Sequence, residues 1–173
     1  MKKAVLGLFV VFIAFQLEAG NGTVQEALSQ NDFMVVSEKG LVFSLGQEID
    51  LGLSEIDFVN PTGIIENSSG SNWDILIFSN PDIEIRAYRK WKSILQIEIK
   101  SEEYSLARDI HLGDTEEVFF SRFSKRNFQQ IDGGYIGFIP MVEEDSGYEY
   151  SNFLLIKLED NQISEIKIGT TMD

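Results

Sequence analysis

Residues 104–119 read Tyr104-Ser-Leu-Ala-Arg-Asp-Ile-His-Leu-Gly-Asp-Thr-Glu-Glu-Val-Phe119. Sixty-one residues earlier stands Phe43-Ser-Leu-Gly-Gln-Glu-Ile-Asp-Leu-Gly-Leu-Ser-Glu-Ile-Asp-Phe58. Seven of the sixteen aligned pairs are identical: Ser44/Ser105, Leu45/Leu106, Ile49/Ile110, Leu51/Leu112, Gly52/Gly113, Glu55/Glu116 and Phe58/Phe119. Chance gives about one, so the chain reads as an internal repeat. In each copy Ile-x-Leu-Gly closes an extended segment. Ser54, and Asp114 or Thr115, then stand where a helix needs a cap.

Working outward, apolar runs separated by turn residues follow each copy. They are Trp73–Phe78, Ile83–Arg89 and Ile94–Lys100 after the first, and Tyr135–Pro140, Tyr148–Leu158 and Ile163–Ile168 after the second. Ile94, Ile97 and Ile99 fall on Ile163, Ile166 and Ile168 at an offset of 69. Each half therefore reads as a strand, a helix and a three-stranded antiparallel meander. The expected fold is α+β, with two pseudo-repeats over 41–102 and 103–173 forming one compact domain. Ahead of them, 20–40 is an N-terminal segment with a capping-box pattern at Thr23-Val-Gln-Glu26. Phe33–Ser37 then forms the first half of a hairpin with Leu41–Leu45.

The chain opens with Lys2 and Lys3, an unbroken apolar run from Ala4 to Phe15, and Leu17-Glu-Ala19 before Gly20. This is the layout of a secretory signal peptide over 1–19. Twelve apolar residues fall short of the ~20 a spanning helix needs, and no second such run occurs. The expected location is therefore exported, periplasmic or extracellular, with no stable membrane insertion after cleavage. Cleavage removes Lys2, Lys3 and Glu18. That leaves 12 basic against 27 acidic side chains, a net −15 compared with −14 for the whole chain. Such acidity excludes sequence-independent nucleic-acid binding. No Cys is present, which excludes thiol nucleophiles, thiolate metal sites and attachment through a lipidated cysteine. The triplets Asn21-Gly-Thr23 and Asn67-Ser-Ser69 match the glycosylation pattern, which is frequent by chance.

The pattern Ile-x-Leu-Gly-x-Ser/Thr opening a helix, followed by a meander ending Ile-x-x-Ile-x-Ile, resembles two groups of small domains. One is the tandem-repeat β-lactamase inhibitor proteins; the other is the single-unit outer-membrane assembly lipoproteins of the SmpA/BamE kind. The match lies at Ile49, Leu51, Gly52 and Ser54, and at Ile110, Leu112, Gly113 and Thr115, within residues 41–170. The anchoring cysteine of the lipoproteins and the disulfides common in the inhibitors are absent. The resemblance implies an exported, non-enzymatic module that binds protein through a sheet face.

The candidate sites are few. Gly52 and Gly113 precede helix starts, but the second copy places Asp114 and Glu116 there, which suits capping better than anion binding. His111 is the only histidine and lacks both a nucleophile elbow and partners for a metal. Glu143-Glu-Asp145 followed by Ser146-Gly147 lacks the alternating ligands of a calcium loop. No catalytic, cofactor-binding or metal residue is expected, and no cofactor. Composition departs most at Arg86-Ala-Tyr-Arg-Lys-Trp-Lys92, four cations and two aromatics in an acidic chain. Arg86, Tyr88, Arg89, Lys90, Trp91 and Lys92 are thus the candidate interaction surface, with a solvated hairpin tip as the plain alternative. The expected function is a protein-interaction module of the bacterial cell envelope, with another envelope or secreted protein as partner. The alternatives are an inhibitor of a secreted hydrolase, using loop 60–72 or 141–148, and a hydrolase using His111.

Overall fold

The computed structural model describes residues 27–48, 75–88, 92–142 and 149–171. A 3-10 helix over Gln30–Phe33 leads into β1 (Met34–Ser37) and β2 (Val42–Ser44). There follow β3 (Ile75–Ser79), β4 (Ile83–Tyr88), β5 (Ser93–Ile99) and β6 (Tyr104–Leu106). Next come α1 (Glu116–Arg122), a 3-10 helix over Lys125–Asn127, and β7 (Phe128–Ile131). The chain closes with β8 (Gly134–Val142), β9 (Glu149–Glu159) and β10 (Gln162–Thr171). Two sheets result, three-stranded in the order β2-β1-β6 and seven-stranded in the order β3-β4-β5-β10-β9-β8-β7. Every pairing is antiparallel.

The molecule is mostly β, which corrects the expected α+β pair of strand–helix–meander units. The reason lies in the stretch that prompted that expectation. Residues 104–112 are not one strand. β6 stops at Leu106, and the chain turns back on itself through Asp109 at φ +58, so that the Leu106 amide donates to the Ile110 carbonyl at 2.9 Å. β6 then pairs with β1 in the smaller sheet, not with the meander. The expected second-copy helix exists as the seven residues of α1, with the Thr115 hydroxyl accepting from the Val118 amide at 3.3 Å. The first-copy helix and Gly52 fall outside the described residues. β7 was not expected: its Phe-Gln-Gln-Ile carries no alternation, and it forms because the Asp132-Gly133 turn returns it onto β8.

At the centre of the large sheet β5 pairs with β10, Ile97 opposite Ile168 and Ile99 opposite Ile166. In a regular strand, residues three apart point to opposite faces. Ile94 and Ile97, and likewise Ile163 and Ile166, are nevertheless all buried. The register shows how: Leu95 and Ser164 are each skipped in the pairing, at matching places, and one extra residue restores the core face. The two strands are also approached alike. The Gly46 amide donates to the Ile94 carbonyl at 2.8 Å, and the Ile94 amide returns to Gln47 at 2.9 Å. The Gly113 amide donates to Ile163 at 2.8 Å, and Ile163 returns to Asp114 at 2.8 Å. Gly46 and Gly113 both hold positive φ, +79 and +85, a region open to glycine. In this contact Gly46 occupies the place that Gly113 takes.

One face of the large sheet builds the core. Ile83, Ile85, Ile97, Ile99, Leu154, Ile156, Ile166 and Ile168 are buried there under Phe33, Phe43, Leu106, Ile110, Phe119 and Phe123. α1 brings an aromatic cluster: Phe119 stacks on Phe123 at 4.8 Å and meets Phe128 edge-on at 5.1 Å. Arg108 lies 4.4 Å over the Phe123 ring and reaches the carboxylate of Asp32, which is 3% exposed. That carboxylate also accepts from the Ser29 amide at 2.7 Å, so one buried acid joins the N-terminal 3-10 helix to the turn after β6.

Candidate functional site

Two places outside the core gather chemistry-bearing side chains. The first is the start of α1. The Tyr135 hydroxyl donates to Glu116 Oε1 at 2.7 Å, and Lys125 Nζ donates to the same oxygen at 2.9 Å. Lys125 lies 5.0 Å from the Phe120 ring centre and 5.1 Å from that of Tyr135. An open depression of about 510 Å³ is lined here by Glu116, Glu117, Phe120, Ser121, Lys125 and Asn161. The Tyr135 hydrogen bond, with Lys125, holds the Glu116 carboxyl below the usual range. Glu116, with Tyr135, pushes the exposed Lys125 ammonium up. Both groups are moved away from neutrality, where an acid–base catalyst must titrate. The cluster pins α1 to β8 and the second 3-10 helix.

The second place is the face of the large sheet turned away from the core. On β8 and β9 it carries Ile136 opposite Leu155 and Phe138 opposite Phe153, two adjacent apolar pairs. Phe138 is 46% exposed. On β10 the same row reaches Gly169, and a Cβ there would stand 2.5 Å from the Phe153 ring. The missing side chain lets the Phe153 ring lie across the strand. Ile136, Phe153 and Leu155 are half-buried, and Phe138 is the exposed member of the tile.

A ladder of ion pairs borders the tile. Lys167 meets Glu98 at 3.2 Å across β5 and Glu165 at 2.9 Å on its own strand, and Lys157 meets Glu165 at 2.7 Å across β9. Further out, Glu84 takes Arg86 at 3.0 Å and Lys100 at 2.8 Å. Burial pushes the Glu165 carboxyl up, but the hydrogen bonds from Lys157 and Lys167 outweigh it and the net shift is downward. Glu84 behaves likewise, with Lys100 and Arg86 outweighing its burial.

Of the stretch singled out by composition, Arg86 belongs to this ladder. Tyr88 shares its face but is only 9% exposed at the end of β4, opposite Ile75 and Ser93. Lys92 sits at φ +52 and is exposed, while Arg89, Lys90 and Trp91 lie outside the described residues. His111 donates its backbone amide to Asp114 Oδ2 at 2.8 Å, and its Nε2 is 4.0 Å from Asp109. Among the described residues, no group of three His, Cys, Asp or Glu side chains stands where it could hold a metal. The acidic run 143–147 and the loop 60–72 fall outside the described residues.

Sequence reasoning passed over Ile136, Phe138, Phe153 and Leu155, although a signal was present. Phe153-Leu-Leu-Ile156 is continuously apolar, and a strand without alternation is apolar on both faces. The core uses one face and leaves the other to be explained. The chain matches no protein-family model, no curated protein and no solved structure.

Proposed function

We propose that this chain is an exported, non-enzymatic protein-interaction module of the bacterial cell envelope, and that it binds through the outward face of its seven-stranded sheet. The observation that carries the reading is the tile of Ile136, Phe138, Phe153 and Leu155. Apolar side chains scattered singly, such as Val42 and Val118, are ordinary on a protein surface. A contiguous apolar patch with a polar rim has the composition of an interface centre. The signal-like residues 1–19 supply the export.

The test is retention of exported proteins by the immobilised chain, compared with the double variant Phe138→Asp/Leu155→Asp. The reading expects partners held by the wild type and by Val118→Asp to be lost from the double variant, with the circular dichroism unchanged. Equal retention by all three chains contradicts it.

A further inference from the structure

We propose that the occupant of this face is a second copy of the chain, packed face to face about a two-fold axis. The inference rests on the interaction reading above and names its partner. A two-fold interface sets a surface against itself, so the surface must complement its own charge. A face made for a different, oppositely charged protein carries one sign. This face carries both: along the ladder Arg86, Lys100, Lys157 and Lys167 alternate with Glu84, Glu98 and Glu165, and Glu149 and Glu159 stand on the same face at the ends of β9, four cations to five carboxylates. The whole chain has a net charge of −14, so two copies repel one another over most of their surfaces. Along the ladder that repulsion is cancelled locally, and in the adjacent tile the Phe153 ring lies against the bare backbone of Gly169. Two sheets stacked through such faces bury Phe138 and Phe153 against their counterparts at the ordinary ~10 Å spacing.

The geometry carries a sign for salt. If the contacting faces are close to neutral while the copies as wholes are acidic, added salt screens mainly the repulsion, and association strengthens. The experiment is sedimentation equilibrium of the exported chain over a hundredfold concentration range, at low and at physiological salt. The expected result is a monomer–dimer equilibrium that tightens at least threefold with salt. Phe138→Asp and, independently, Ile136→Lys are each expected to raise the dissociation constant at least tenfold while the fold is retained. A chain that stays monomeric throughout overturns the proposal, as does a dimer indifferent to both substitutions. If a monomeric chain still loses a foreign partner on Phe138→Asp, the face remains an interaction surface and only the second copy is excluded. If it loses none, both readings fall.

Discussion

The Phe153 ring lies across the bare backbone of Gly169, so closely that a Cβ at 169 would stand 2.5 Å from the ring's Cζ. Gly169 and Phe153 are direct partners in the β9–β10 ladder. A strand glycine ordinarily weakens a sheet, and its presence marks a close approach. Here what approaches is the Phe153 ring on the outward face.

Replacing Gly169 by Val is expected to tilt the Phe153 ring out of the tile. The ring's far edge can move, and β-branched residues suit strands, so the loss of stability should stay below about 1 kcal/mol. Binding through the face should fall by at least tenfold. Thermal denaturation read beside sedimentation separates the two effects; a large loss of stability with binding intact would contradict the assignment.

Gly134→Ala is the opposite case. A Cβ at 134 would stand 2.0 Å from the Ile156 carbonyl oxygen and 2.9 Å from Lys157 Cα, both backbone. Backbone cannot swing aside, so β8 must separate from β9 or shift register. The expected cost is about 3 kcal/mol, at the upper end for a single substitution, measured as the shift of the urea midpoint. Because 134 lies at the β8 end remote from Phe138, equal costs for Gly134→Ala and Gly169→Ala would contradict the described close approach.

The Arg108–Asp32 pair is buried, with side-chain exposures of 16% and 3%. Removing one partner strands the other, so Arg108→Met should cost about 3 kcal/mol. Adding Asp32→Asn removes the stranded charge and should recover part of that loss. Equilibrium unfolding of the single and double variants checks it; additive losses would show that the two side chains act independently.

Acid should weaken the fold through the ladder and through the cluster at the start of α1. Glu84, Glu116 and Glu165 all titrate below the usual value of 4.5 in the folded chain. A depressed folded value gives stability that is complete above the unfolded value and is lost as pH falls through the folded one. The urea midpoint should therefore hold down to about pH 5 and fall below about 4.5. Glu165→Gln should be less stable at pH 7 and show a shallower acid decline than the wild type. Parallel pH profiles for the two would contradict the role given to Lys157 and Lys167.

Much of the sheet was legible in the residues. The hairpin of β1 and β2, and the strands at 83–88, 93–99, 134–142, 149–159 and 162–171, follow from apolar runs bounded by turns. The Ile triplets of β5 and β10 marked the two strands that meet at the centre. The fold class was lost at Asp109, where a single positive φ turns an apparently continuous strand back on itself. Nothing in Ala-Arg-Asp-Ile announces that turn, since Asp tolerates the left-handed region without requiring it. The candidate face was missed for a different reason. Composition drew attention to cations beside aromatics at 86–92. Phe138, which is exposed, and Phe153, which is half-buried, stand on the consecutive strands β8 and β9, and they become a patch only when those strands pair.

The central claim is that the outward face is covered in the working molecule. The chain has no native cysteine, so a single thiol can report on it. Gln129 pairs with Ile136 and shares the outward face, whereas its neighbour Gln130 pairs with Tyr135 and lies on the other side; both are exposed. Maleimide labelling of Gln129→Cys and Gln130→Cys, in dilute and in concentrated solutions of the exported chain, leaves the tile itself untouched. Labelling at 129 is expected to slow at least tenfold at high concentration while 130 stays unchanged. Equal labelling of the two positions at every concentration would contradict it.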